Sequence, residues 1–139
     1  MKKTISSFIY ISVIGSIFYF IIGWLVFSLI LGPYTETNTT QISGFKKTTE
    51  FNMLFMYLSC LSYAGLIHFL LLNSTIQTIG KAILFSSFVG VLIACMTDFY
   101  WYASSNFYLN NIVILLDVVG AALTVGLLGG VTFWLMNKK

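Results

Sequence analysis

Four apolar stretches, at about residues 5–31, 51–72, 80–102 and 110–136, take up most of this 139-residue chain. A helix needs about 20 mostly apolar residues to cross the hydrocarbon core of a bilayer, and each stretch meets or nearly meets that length. The expected fold is therefore an all-α membrane protein, an antiparallel bundle of four transmembrane helices forming one domain over residues 1–139. Charged residues make up only 8% of the chain. A water-soluble domain carries about 25%, so this chain could not cover itself in water.

The seven basic residues are all lysines. At membrane edges they make no nucleic-acid footprint, so nucleic acid is not an expected partner. If the four helices alternate, Lys2, Lys3, Lys81, Lys138 and Lys139 share one side, and Lys46 and Lys47 take the other. The lysine-richer side should be cytoplasmic. That puts both termini inside, with the loop 32–50 and a short turn near 104–110 outside. The first apolar run is longer than the core of a secretory signal and has no small-residue cleavage pattern, so it reads as a retained helix. Pro33 cannot continue that helix, and Gly32 before it suits a helix end. The loop that follows, rich in Thr and Asn, reads as a plain connection, with a lid over the outer face as the alternative. Tyr34, Phe51, the run Phe99-Tyr100-Trp101-Tyr102, Phe107-Tyr108 and Phe133-Trp134 fall near expected boundaries and suit the half-wet headgroup level.

An ionisable group inside a bilayer costs at least about 2.5–3.5 kcal/mol near its centre. His68, Asp98 and Asp117 are the residues that incur it. Asp98 lies near the outer end of the third stretch, Asp117 a few residues into the fourth, and Glu50 just before the second. Three carboxylates thus gather in the outer half. If Asp98 and Asp117 face one another, burial and like charge oppose ionising both, and the pair could share a proton or hold a cation. Otherwise each is bonded to a hydroxyl or amide of a neighbouring helix, reaches the wet interface, or pairs with Lys46 or Lys47. Asp98, Asp117, Glu50, Tyr102 and Thr124 form the candidate polar pocket. His68 has no second ligand at metal spacing. A neutral, hydrogen-bonded histidine is the expectation, with proton relay the alternative.

Helical geometry sorts the fourth stretch by face. Asp117, Gly120, Ala121, Thr124 and Leu128 share one side, and Ala122, Gly126 and Gly130 recur every four residues nearly opposite. Ser86, Gly90, Ala94 and Asp98 step likewise along the third. Small residues at this spacing let helix backbones approach closely, so Gly90, Ala94, Ala122, Gly126 and Gly130 are the expected packing positions. Burying two faces of the fourth helix in so small a bundle also suggests a homo-oligomer. Cys60 and Cys95 show no C-x-x-C spacing. With one histidine, no phosphate loop, no H-E-x-x-H and no G-x-S-x-G, neither a cofactor, a metal site nor a hydrolase is signalled.

The run Phe18-Tyr19-Phe20-Ile21-Ile22-Gly23-Trp24-Leu25-Val26, Asn38-Thr39, Asp98 with Tyr102-Ala103, and Asp117 followed by Gly129-Gly130 and Trp134 resemble a family of small uncharacterised bacterial four-helix inner-membrane proteins. The resemblance implies four helices in a bacterial inner membrane and brings no activity or site residue with it. Three functions stay open. The first is a non-enzymatic structural or accessory protein that binds lipid or a membrane-protein partner. The second is a small proton- or cation-coupled transporter or channel using Asp98 and Asp117. The third is a membrane enzyme acting on lipid.

Overall fold

The computed structural model describes residues 5–40, 50 and 52–138. Four of its helices are long and apolar enough to cross a membrane. The first span begins as α1 (Ile5–Gly23) and continues without a break through a π-helical segment, Trp24–Ile30. A short helix α2 (Gly32–Thr37) follows, and the other spans are α3 (Met53–Leu72), α4 (Ile79–Ser104) and α5 (Asn111–Asn137). The chain is a multi-pass, all-α bundle. One end carries α2 and the turn before α5 and is called here the Tyr108 end. The other carries Ile5, the turn after α3 and Lys138, and is called the His68 end.

Local chemistry sets the helix starts. Asn52 accepts from the amides of Leu54 (3.1 Å) and Phe55 (3.4 Å), Thr78 from Lys81 (3.4 Å), and Asn110 from Ile112 (2.9 Å). Each cap satisfies amides that have no partner within their own helix. At the end of the first span the Leu31 amide bonds the Val26 carbonyl five residues back at 2.9 Å, which is the π pattern. The sequence reading expected a plain helix over this stretch. The wider turn lets Phe27 and Leu31 lean onto Gly120 of α5, where an added Cβ would sit 2.9 Å from the Phe27 ring.

Helix α5 is the centre of the bundle. It packs along the whole of α4 and also against α1 and α3, whereas α4 packs on α5 and hardly elsewhere. The α4–α5 seam is built from small residues. Ala82, Ser86, Gly90, Ala94 and Asp98, four apart, are the buried residues of α4. A Cβ at Gly90 would lie 2.8 Å from both the Ala121 carbonyl oxygen and Val125 Cβ, and one at Gly130 would lie 2.9 Å from Ile83. Gly126 and Gly129 face Ser87 and Ser86 with no room for a side chain. Ser87 Oγ donates to the Ala122 carbonyl across the seam at 2.8 Å. In lipid, dispersion and such interhelical hydrogen bonds drive association. Both faces of α5 are therefore covered within a single chain. On its other side Ala64, Ile67 and Leu71 of α3 meet Val125 and Leu128 in the apolar core.

Candidate functional site

The antiparallel run of α4 and α5 puts two aspartates at one depth. Asp98 lies six residues before the end of α4 and Asp117 six after the start of α5, so each is about 9 Å in from the Tyr108 end. The small-residue seam brings the backbones close enough for the side chains to meet. The Asp117 carboxyl lies within hydrogen-bonding reach of the Asp98 carboxyl. Asp98 is 4% exposed. Its Oδ1 accepts from the Tyr108 hydroxyl at 2.6 Å, and its Oδ2 is buried with no donor among the described residues. Contact between two carboxyls becomes a hydrogen bond only when one of them carries a proton, because a carboxylate is an acceptor alone.

Tyr108 is held by a small cap. Thr39 and Tyr108 form an antiparallel bridge. The Thr40 amide donates to the Phe107 carbonyl (2.8 Å) and the Leu109 amide to the Asn38 carbonyl (2.9 Å), while Thr40 Oγ1 bonds the Asn106 carbonyl. Asn110 Nδ2 donates to the Tyr34 hydroxyl at 3.3 Å. The connection after the first span, expected to be plain, thus pairs at residues 38–40 with the turn before α5 and aims a phenol at the aspartates. Burial first, then the hydrogen bond to Asp98 and the Asp98 and Asp117 charges, hold the Tyr108 pKa well above the ordinary 10.0.

Below the pair a line of polar groups descends through the bundle. Tyr63 and Tyr19 are within electrostatic range of Asp117, and their rings lie 5.3 Å apart. Tyr19 is also neighbour to the side chain of Thr124, which is fully buried and donates to the Gly120 carbonyl at 2.9 Å. Ser16 Oγ and the Tyr57 hydroxyl are bonded at 2.9 Å. Towards the other end the fully or almost fully buried Ala64, Ile67, Val125 and Leu128 form an apolar layer. Beyond it stands His68, 1% exposed, with Nδ1 3.1 Å from Ser12 Oγ and its ring stacked on Phe8 at 4.5 Å. His68 lines a cavity of about 730 Å³ at that end.

Of the residues singled out from the sequence, Asp98 and Asp117 meet, and Thr124 is on the line beneath them. Glu50 is exposed. Tyr102 is 54% exposed, because α4 has by then run past the end of its small-residue seam. Neither is among the groups around the pair. Tyr108, Tyr19 and Tyr63 were not foreseen as site residues. Lys46 and Lys47, considered as partners for the aspartates, lie outside the described residues. Cys60 and Cys95 are free thiols, and no group of three or more metal-ligating side chains occurs among the described residues. No protein-family model matches the chain, and neither curated proteins nor solved structures provide a match.

Proposed function

We propose that this multi-pass membrane protein binds and releases a proton at the Asp98–Asp117 pair as part of proton-coupled transport. The observation that carries the reading is the meeting of two carboxyls from different spanning helices, one of them buried, with Tyr108 as the hydroxyl donor to Asp98. Two like charges at hydrogen-bonding distance in a low-dielectric site are costly, and a single shared proton removes one charge and supplies the missing donor.

The surroundings suit that task. The Tyr108 hydroxyl stands between the pair and the outer cap, and Tyr63, Tyr19 and Thr124 continue the line of hydroxyls inward. The apolar layer of Ala64, Ile67, Val125 and Leu128 would act as the closed barrier, since dry constrictions stop conduction. By lysine placement the His68 end is the cytoplasmic one, and a bacterial inner membrane is the setting the resemblance suggests. A second copy is not needed to cover α5; if one binds, the exposed Leu84, Phe88, Leu92 and Met96 of α4 are the surface it would meet.

The test is proton flux in proteoliposomes across a pH step, read by an internal pH dye, for the wild type, Asp98→Asn and Asp117→Asn. Flux in the wild type and its loss in either variant are expected. Folded wild type with no flux above empty liposomes would end the reading. A structural role has one observation behind it, the fastening of cap to bundle through Tyr108 and Asp98. Under that role the two variants lower the unfolding midpoint and no protein shows flux.

A further inference from the structure

The geometry points to a binding site for an anionic phospholipid in the cavity at the His68 end, separate from the aspartate pair. Its volume of about 730 Å³ is that of a ligand pocket rather than a packing defect. Four segments build it: the start of α1, the end of α3, the turn 73–78 and the end of α5. Phe8, Ile11, Leu71 and Phe133 give it an apolar wall, and His68 is almost fully buried in it. Ser7, Ser74, Gln77, Asn137 and Lys138 form its polar part. The apolar wall belongs to spanning helices and the polar groups stand at their ends, the arrangement an acyl chain and a headgroup require.

Charge selects the headgroup. The four acidic residues of the chain are Glu36, Glu50, Asp98 and Asp117. Glu36 is in α2, Glu50 lies three residues before α3, and the aspartates lie in the parts of α4 and α5 nearest α2, so all four belong to the Tyr108 end. Lys138 lines the cavity and Lys81 starts α4 at the same end, while Lys2 and Lys3 precede Ile5 and Lys139 follows Lys138 in sequence. A cavity with a lysine in its wall, at the lysine-richer end of a chain whose acidic side chains are elsewhere, complements a phosphodiester anion. A zwitterionic lipid would bring its own cation to that lysine.

Trp134 is outside the cavity lining but reports on lipid held at Lys138, because Lys138 Nζ sits 4.9 Å from its ring centre. Full-length protein with Trp24→Phe and Trp101→Phe keeps Trp134 as its sole tryptophan. It is placed in phosphatidylcholine vesicles containing either brominated phosphatidylglycerol or brominated phosphatidylcholine, and quenching is followed against mole fraction. The anionic lipid is expected to quench at about fivefold lower mole fraction, the factor one lysine supplies at an anionic surface. Lys138→Gln should bring the two lipids close to parity. Ser7→Phe, which fills the cavity and keeps the lysine, should do the same, and Leu72→Phe repeats that test from α3. Equal quenching in the starting protein overturns the site. So does a preference that survives in both folded cavity-filling variants, because the lipid would then be held by surface charge alone.

Discussion

Replacing Gly90 by alanine tests the α4–α5 seam and the aspartate pair together. The new Cβ would stand 2.8 Å from the Ala121 carbonyl oxygen and from Val125 Cβ, and 3.0 Å from Val125 Cγ2. Neither neighbour yields easily. One is helix backbone, and the other is a β-branched side chain with no exposure. Overpacking of this kind costs about 1–3 kcal/mol. Alanine regains about 0.8–1.0 kcal/mol of helix propensity over glycine. Because the obstacles are stiff, the upper half of the overpacking range applies, and the net loss is about 1–2 kcal/mol. Gly65→Ala is the matched control. It lies within α3, and its Cβ would meet nothing within 4 Å, so the propensity gain stands alone and the variant should equal or exceed the wild type. Equilibrium unfolding in mixed micelles, followed by circular dichroism, gives the order Gly65→Ala at or above wild type, above Gly90→Ala. The strain should also part α4 from α5 and lower proton flux in vesicles that retain folded protein. A Gly90→Ala protein as stable as Gly65→Ala would refute the close seam, and with it the geometry that brings Asp98 to Asp117.

Two further outcomes follow from the cap and the lysines. Tyr108→Phe removes the donor to Asp98 and should cost about 1.5–3 kcal/mol, the range for a hydrogen bond to a charged group. Because the folded protein holds Tyr108 above its ordinary pKa, its stabilisation is complete below pH 10.0 and fades as pH rises beyond it. Unfolding midpoints should therefore fall less steeply above that pH in Tyr108→Phe than in the wild type. The orientation is checked by labelling intact cells with a membrane-impermeant maleimide, in a background where Cys60 and Cys95 are serine. Asn106→Cys should react and Thr75→Cys should not, and the reverse pattern would invert the bundle.

Much of the architecture can be read along the chain because lipid simplifies the problem. The spans are announced by apolar length. The seam is announced by small residues every four positions, since Ser86, Gly90, Ala94 and Asp98 fall on one side of any α-helix. That Asp98 and Asp117 deserve notice also follows from residue type and depth, because ionisable groups in spans are rare. Their partner could not be read this way. Tyr108 resembles any interfacial aromatic, and its aim depends on a bridge to Thr39, 69 positions earlier. Tyr102, four residues after Asp98 on the same helix, belongs to the polar pocket expected from the sequence, but the seam ends before it. Tyr19 and Tyr63 sit in apolar runs that read as packing alone. The π segment also lacks a local signature: the turn widens where Phe27 and Leu31 settle on Gly120, a contact between distant parts of the chain.

The central place of α5 sets an order of assembly during synthesis. The ribosome releases α5 after α1, α3 and α4, yet all three pack on it. Until it enters the membrane, α1 and α3 can pair with each other, while α4 waits with its ridge of Ser86, Gly90 and Ala94 against lipid and Asp98 without its companion. A message truncated before residue 111 would thus yield three inserted helices and no finished bundle. In the complete chain, the step that closes the bundle is the same step that creates the carboxyl pair, so a half-built molecule cannot carry the proposed proton site.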